Sequence, residues 1–190
     1  MTPADTHRTS RPVLALLLSA LALALTACAT FSDDPRARTP GSMIDDEALE
    51  RVVEGEIRKS DPDLKSAHLV VVSYGGIVLL LGQVSSEELK IKAQTVTQGI
   101  AKVGSVHNEI GVGGPISYVA RSNDGWITGK VKSNLIFAKD VPGRKVKVQT
   151  ENGVVYLMGF LTRAEADAAV AATATVFGVQ RIVRVFEYLD

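Results

Sequence analysis

The sequence predicts an α+β protein in which one small module is used twice behind a short leader. Three observations predict it. An apolar run lies close to the N-terminus, most of the remaining chain repeats itself at a nearly constant spacing, and within each repeat the apolar residues change from helical spacing to strand-like runs and back.

The leader comes first in the chain. His7, Arg8 and Arg11 precede residues 13–25, which are almost entirely Leu, Ala and Val. That is the layout of a signal peptide, and the run falls short of the roughly 20 apolar residues that a membrane span requires. Residues 1–27 are therefore expected to be removed. Leu25-Thr26-Ala27-Cys28 resembles the bacterial lipobox, which implies Cys28 as the lipidated first residue of the mature chain. Cys28 is the only cysteine, so no internal disulfide is possible. Two or three acyl chains on one residue give durable anchoring where a single chain gives little. Ala29 is not the aspartate of an inner-membrane retention signal, so the expected location is the periplasmic face of the outer membrane. Residues 28–43 hold this anchor and a segment rich in Pro, Asp, Arg, Thr and Ser, read as a flexible tether.

The repeat defines the modules. Gly76-Ile77-Val78-Leu79-Leu80-Leu81-Gly82 corresponds to Gly153-Val154-Val155-Tyr156-Leu157-Met158-Gly159 at an offset of 77. Leu49, Val53 and Ile57 correspond to Ile127, Val131 and Leu135, while Val103 and Val106 correspond to Val179 and Ile182, each set after a one-residue slip. Self-similarity over this length means duplication of a supersecondary unit. The expected divisions are 44–113 and 123–190, joined by a linker over 114–122.

Each module reads α-β-β-α-β. Leu49, Val53, Ile57 and their counterparts Ile127, Val131, Leu135 have i, i+4, i+8 spacing and form the buried stripe of a first helix. Gly75-Gly76 and Asn152-Gly153 mark tight hairpins, the second with the residue pair that tolerates positive φ at both turn positions. Ser85 with Glu88 and Thr162 with Glu165 fit capping boxes at the start of second helices over about 86–102 and 163–177. The inward faces of those helices read as Leu89, Ala93, Val96, Ile100 and as Ala166, Ala169, Val170, Thr173, Phe177. A last strand returning through a crossover helix pairs in parallel, giving a small mixed three-stranded sheet covered by two helices. Modules of this size are marginal alone, so the two copies are expected to pack together.

Each copy resembles a BON domain, through its amphipathic helix, the Gly-Val-Val-x-Leu-x-Gly strand and the closing Gly178-Val179-Gln180-Arg181-Ile182 segment. The first copy departs from it by carrying Lys102 in place of the closing glycine. Together with the lipobox, His107-Asn108-Glu109-Ile110 and Trp126-Ile127-Thr128 resemble the DolP family of dual-BON-domain outer-membrane lipoproteins. That resemblance implies a non-enzymatic protein that binds anionic phospholipid, phosphatidylglycerol above all, through its second domain. It further implies support of outer-membrane integrity and links to the β-barrel assembly machinery and to division sites.

The residues favour the second copy as the lipid-facing one. Residues 43–114 carry 7 basic and 11 acidic side chains, whereas 115–190 carry 10 basic and 7 acidic. Each cation near an anionic surface is worth about 1 kcal/mol, subject to screening by salt. Trp126, Lys130 and Asn134 recur at i+4 beside the core stripe, with Lys132 and Phe137 nearby, where the first copy has Ala48, Val52 and Glu54 for Trp126, Lys130 and Lys132. An indole settles at the headgroup boundary and a lysine stem reaches phosphate, so the candidate lipid-binding set is Trp126, Ile127, Lys130, Val131, Asn134 and Leu135. The plainer alternative makes Trp126 a staple at the domain interface. Arg144, Lys145 and Lys147 either extend the basic surface or form a solvated loop, and Gly129 marks either close packing or tolerance.

Catalysis, metal and cofactor chemistry find no residues suited to them. The mature chain holds only His68 and His107, read as structural or surface side chains without a neighbouring carboxylate or a metal-ligand cluster. Gly111-Val112-Gly113-Gly114-Pro115 lacks the Gly-Lys-Ser/Thr ending of a phosphate loop and reads as linker. Near-neutral charge with no broad basic face argues against nucleic acid. The remaining alternative is a periplasmic adaptor whose modules dock envelope proteins such as the β-barrel assembly machinery.

Overall fold

A computed structural model describes residues 39–114 and 118–190; Cys28, the leader and most of the tether lie outside the described residues. The first module runs α1 (Pro40–Ser60), α2 (Pro62–Ser66), β1 (His68–Tyr74), β2 (Ile77–Val84), α3 (Glu87–Gln98), β3 (Ser105–Asn108) and β4 (Gly111–Val112). The second runs α4 (Tyr118–Phe137), β5 (Lys147–Glu151), β6 (Val154–Leu161), α5 (Arg163–Ala174) and β7 (Arg181–Tyr188). Each is the expected α-β-β-α-β unit with a mixed sheet: β1–β2 and β5–β6 are antiparallel, while β3 and β7 run parallel to β2 and β6.

The departures have local causes. α1 begins three residues before Met43, inside the segment read as tether, because Thr39 caps it through Ser42 N and Pro40 occupies a first-turn position where no amide donor is needed. α4 likewise begins inside the segment read as linker. The first sheet has a fourth strand, since Gly111 and Val112, read as linker, pair with Gln83 and Val84. In α3 the cap is Ser86, accepting from Leu89 N, rather than Ser85, while the Thr162–Glu165 box forms with both hydrogen bonds. Lys102 adopts φ of 73°, the left-handed conformation that Gly178 takes at 93° in the other copy. The closing turn is thus kept although its glycine is lost.

Buried stripes pack as read. Leu49, Val53 and Ile57 join Leu69, Val78, Leu80, Leu89 and Ala93 in one core, and Ile127, Val131 and Leu135 join Val148, Val155, Leu157, Ala166 and Ala169 in the other. Gly82 is required in β2 because any β-carbon there would collide with the His68 carbonyl oxygen on β1.

A third core lies between the modules, which belong to one compact unit, Arg38–Asp190. Val72, Tyr74, Ile77, Leu79 and Leu81 on the far face of the first sheet meet Tyr156, Met158 and Val185 on the far face of the second. Each large side chain removed from water in this way contributes about 1.5–3 kcal/mol. Tyr74 adds an edge contact to Phe160 at 5.3 Å and donates its hydroxyl to the Lys145 carbonyl at 2.7 Å. The sheets therefore pack back to back with helices outside, so β2 is buried on both faces.

Candidate functional site

One residue missed in the sequence sets the frame of each module. Asp46 on α1 is buried and accepts from Gly75 N at 2.8 Å, and its counterpart Asp124 on α4 accepts from Asn152 N and Gly153 N at 2.7 and 2.8 Å. Each aspartate fastens the first helix to the hairpin turn, where φ is positive at both residues. The same one-residue slip that aligns Leu49 with Ile127 aligns these two carboxylates, so the repeat itself carries the signal. A buried carboxylate satisfied by backbone amides fixes where the outer face of the helix points.

On α4 that face is apolar and cationic. Trp126 is 50% exposed, Phe137 at the helix end 84% and Phe177 after α5 87%. Trp126, Phe137 and Phe177 line a cleft of about 440 Å³ together with Lys130, Ser133, Asn134, Thr175 and Val176. The Lys130 ammonium lies 5.6 Å from the Trp126 ring centroid, a cation–π pair, and meets no carboxylate among the described residues. Asn134 is half-buried and bridges the two helices, donating from Nδ2 to the Ala172 carbonyl at 2.7 Å and to Thr175 Oγ1 at 2.9 Å.

The six sequence candidates divide. Trp126 and Lys130 stand on the exposed face and Asn134 stands at its edge, holding the cleft walls together. Ile127, Val131 and Leu135 have no accessible surface; they belong to the module core, and the i, i+4, i+8 stripe that puts them there keeps them from any headgroup. Trp126 lines the cleft, is half exposed, and is not among the residues of the core between the modules, where a staple would stand. Phe177, read as inward-facing, is among the most exposed side chains because α5 ends at Ala174, and helical periodicity has no meaning beyond that point. The repeat again holds the missed signal, for the counterparts of Phe137 and Phe177 are Lys59 and Ala101.

Other candidates resolve as well. Lys147 leaves the basic surface: its ammonium reaches Glu50 Oε1 at 2.6 Å and the Ser73 carbonyl at 2.9 Å across the module interface. Arg144 stays exposed. Gly129 has nothing within 4 Å of where a β-carbon would stand, so tolerance explains it and close packing does not. His107 is exposed on β3. His68 does have a carboxylate neighbour, contrary to expectation, supplied by the other module: its Nε2 lies 3.3 Å from Glu151 Oε1, without hydrogen-bond alignment. Among the described residues no group of three or more His, Cys, Asp or Glu side chains is placed to hold a metal ion.

A BON-domain family model matches residues 45–114 and 123–190, and the outer membrane lipoprotein DolP of Haemophilus influenzae is 39% identical over 162 residues, 85% of this chain and 83% of that protein. The chain belongs to the DolP family of dual-BON-domain outer-membrane lipoproteins. Other relatives match over similar lengths. A 21 kDa hemolysin of Actinobacillus pleuropneumoniae is 38% identical, covering 83% of this chain and 80% of its own. Osmotically-inducible protein Y of Escherichia coli is 30% identical, covering 75% of this chain and 72% of its own. This DolP-family chain is accordingly placed at the outer membrane, and no described helix is long and apolar enough to cross a membrane.

Proposed function

We propose that this protein is a non-enzymatic lipoprotein that binds anionic phospholipid, phosphatidylglycerol above all, through its second BON domain and so supports outer-membrane integrity, anchored by acyl chains on Cys28. The carrying observation is the α4 face: a half-exposed Trp126, a Lys130 over its ring that meets no carboxylate among the described residues, and two phenylalanines more than four-fifths exposed. Phenyl rings left in water gain by entering an acyl layer, the indole prefers the interface, and the ammonium takes a phosphate. The first module lacks this equipment, with Ala48, Val52, Lys59 and Ala101 at the matching positions. Nothing in this reading calls for a nucleic acid, a metal or a cofactor.

A second role is favoured by a separate observation. Ile44 and Val52 stand 66% and 51% exposed at i, i+8 on α1, an apolar strip with Ala48 between them, which suits docking of an envelope protein such as a component of the β-barrel assembly machinery. Co-sedimentation of residues 29–190 with vesicles separates the two. Lipid binding predicts that Trp126→Ala and added salt both reduce pelleting with phosphatidylglycerol vesicles while envelope-protein capture persists. Pelleting that ignores both changes contradicts the lipid assignment.

A further inference from the structure

Phe137 and Phe177 belong to different elements, the end of α4 and the turn after α5, yet they line one cleft. Its volume of about 440 Å³ lies within the roughly 300–1,000 Å³ of small-ligand sites. Asn134 ties the two walls together by donating to the Ala172 carbonyl and Thr175 Oγ1, so the helix end and the turn that carry the two rings are fastened to each other. The exposed Ser133 and Lys130 side chains line the same cleft. A phosphodiester flanked by acyl chains matches this lining, with an ammonium and a hydroxyl for the headgroup oxygens and two phenyl rings for the chains.

We propose that this cleft seats the headgroup of a single anionic phospholipid, with Phe137 and Phe177 as jaws entering the acyl layer on either side of it. The inference rests on the lipid reading above and adds to it a stoichiometric site and a second contributing element, the α5–β7 turn. Binding is then saturable at one lipid per chain and requires both headgroup and chains.

The test is a titration of residues 29–190, followed by amide chemical shifts, with dihexanoyl-phosphatidylglycerol held below its micelle-forming concentration, beside glycerol phosphate and phosphatidylglycerol vesicles. The expected result is one-to-one saturation by the short-chain lipid with shifts centred on Ser133 and Thr175, loss of that saturation in Ser133→Trp and Thr175→Trp, and little response to glycerol phosphate. Both substitutions sit at exposed positions, so a retained native amide spectrum shows that the fold survives. Vesicle binding without saturation by the soluble lipid, or saturation that the two tryptophan variants leave intact, overturns the cleft while the lipid reading stands. Equal binding of glycerol phosphate overturns it in favour of a soluble phosphate ester. Failure to bind vesicles at all removes both readings together.

Discussion

Three single residues show how position decides meaning. Asp46 and Asp124 are charged and buried, a combination tolerated only because backbone amides of the hairpin turns satisfy each carboxylate. Gly129 is the reverse case, a helix interior residue surrounded by open space. Glycine there costs about 1 kcal/mol against alanine through backbone entropy, so Gly129→Ala raises stability by about that amount, read as a higher urea midpoint at unchanged slope. A midpoint that falls would mean the position is packed. The distinction between these cases was only partly legible in the sequence: the repeat aligns the two aspartates, but no spacing rule tells that a polar residue beside an apolar stripe turns inward. Gly129 was equally open, because close packing and tolerance leave the same letter.

Among elements, the helices were the most legible and their ends the least. Stripes at i, i+4, i+8 identify α1 and α4 and their buried faces, while α3 and α5 stop three to four residues before their sequence-read ends at 102 and 177. That difference moves Phe177 from core to surface, with a direct consequence. Phe177→Ser is expected to change stability by less than about 0.5 kcal/mol, as at an exposed site without special contacts, and still to reduce vesicle binding. A melting temperature lowered by several degrees would restore the ring to the core. β4 was missed for a different reason: two residues of Gly-Val carry no strand period, and their pairing with β2 is a tertiary outcome.

At the level of the whole molecule, the docking of the modules is the feature that sequence foretold only in outline. Size argued for packing between the copies, and the uninterrupted apolar run Ile77–Leu81 is what a strand buried on both faces looks like, but which faces meet depends on the folded sheets. Tyr156 reports on that interface. Burial, followed by the charge of Glu109, raises its hydroxyl above the ordinary tyrosine range, with Arg181 opposing. The folded state thus holds this proton more firmly than the unfolded chain, so its contribution is complete below about pH 10 and is lost as pH rises through the raised value. Tyr156→Phe, which cannot ionise, should flatten the alkaline fall in melting temperature; an unchanged alkaline limb would place the titrating group elsewhere.

Contact of the outer face of α4 with anionic lipid can be read from the protein's own fluorescence, because Trp126 is its sole tryptophan and stands half exposed on that face. Emission of residues 29–190 is recorded with phosphatidylglycerol vesicles, with phosphatidylcholine vesicles, and with vesicles brominated along the acyl chains. Lipid contact at α4 is expected to give a blue shift and quenching by bromine only when phosphatidylglycerol is present, weakened by added salt. Emission that stays at its water-exposed wavelength with every vesicle would contradict it.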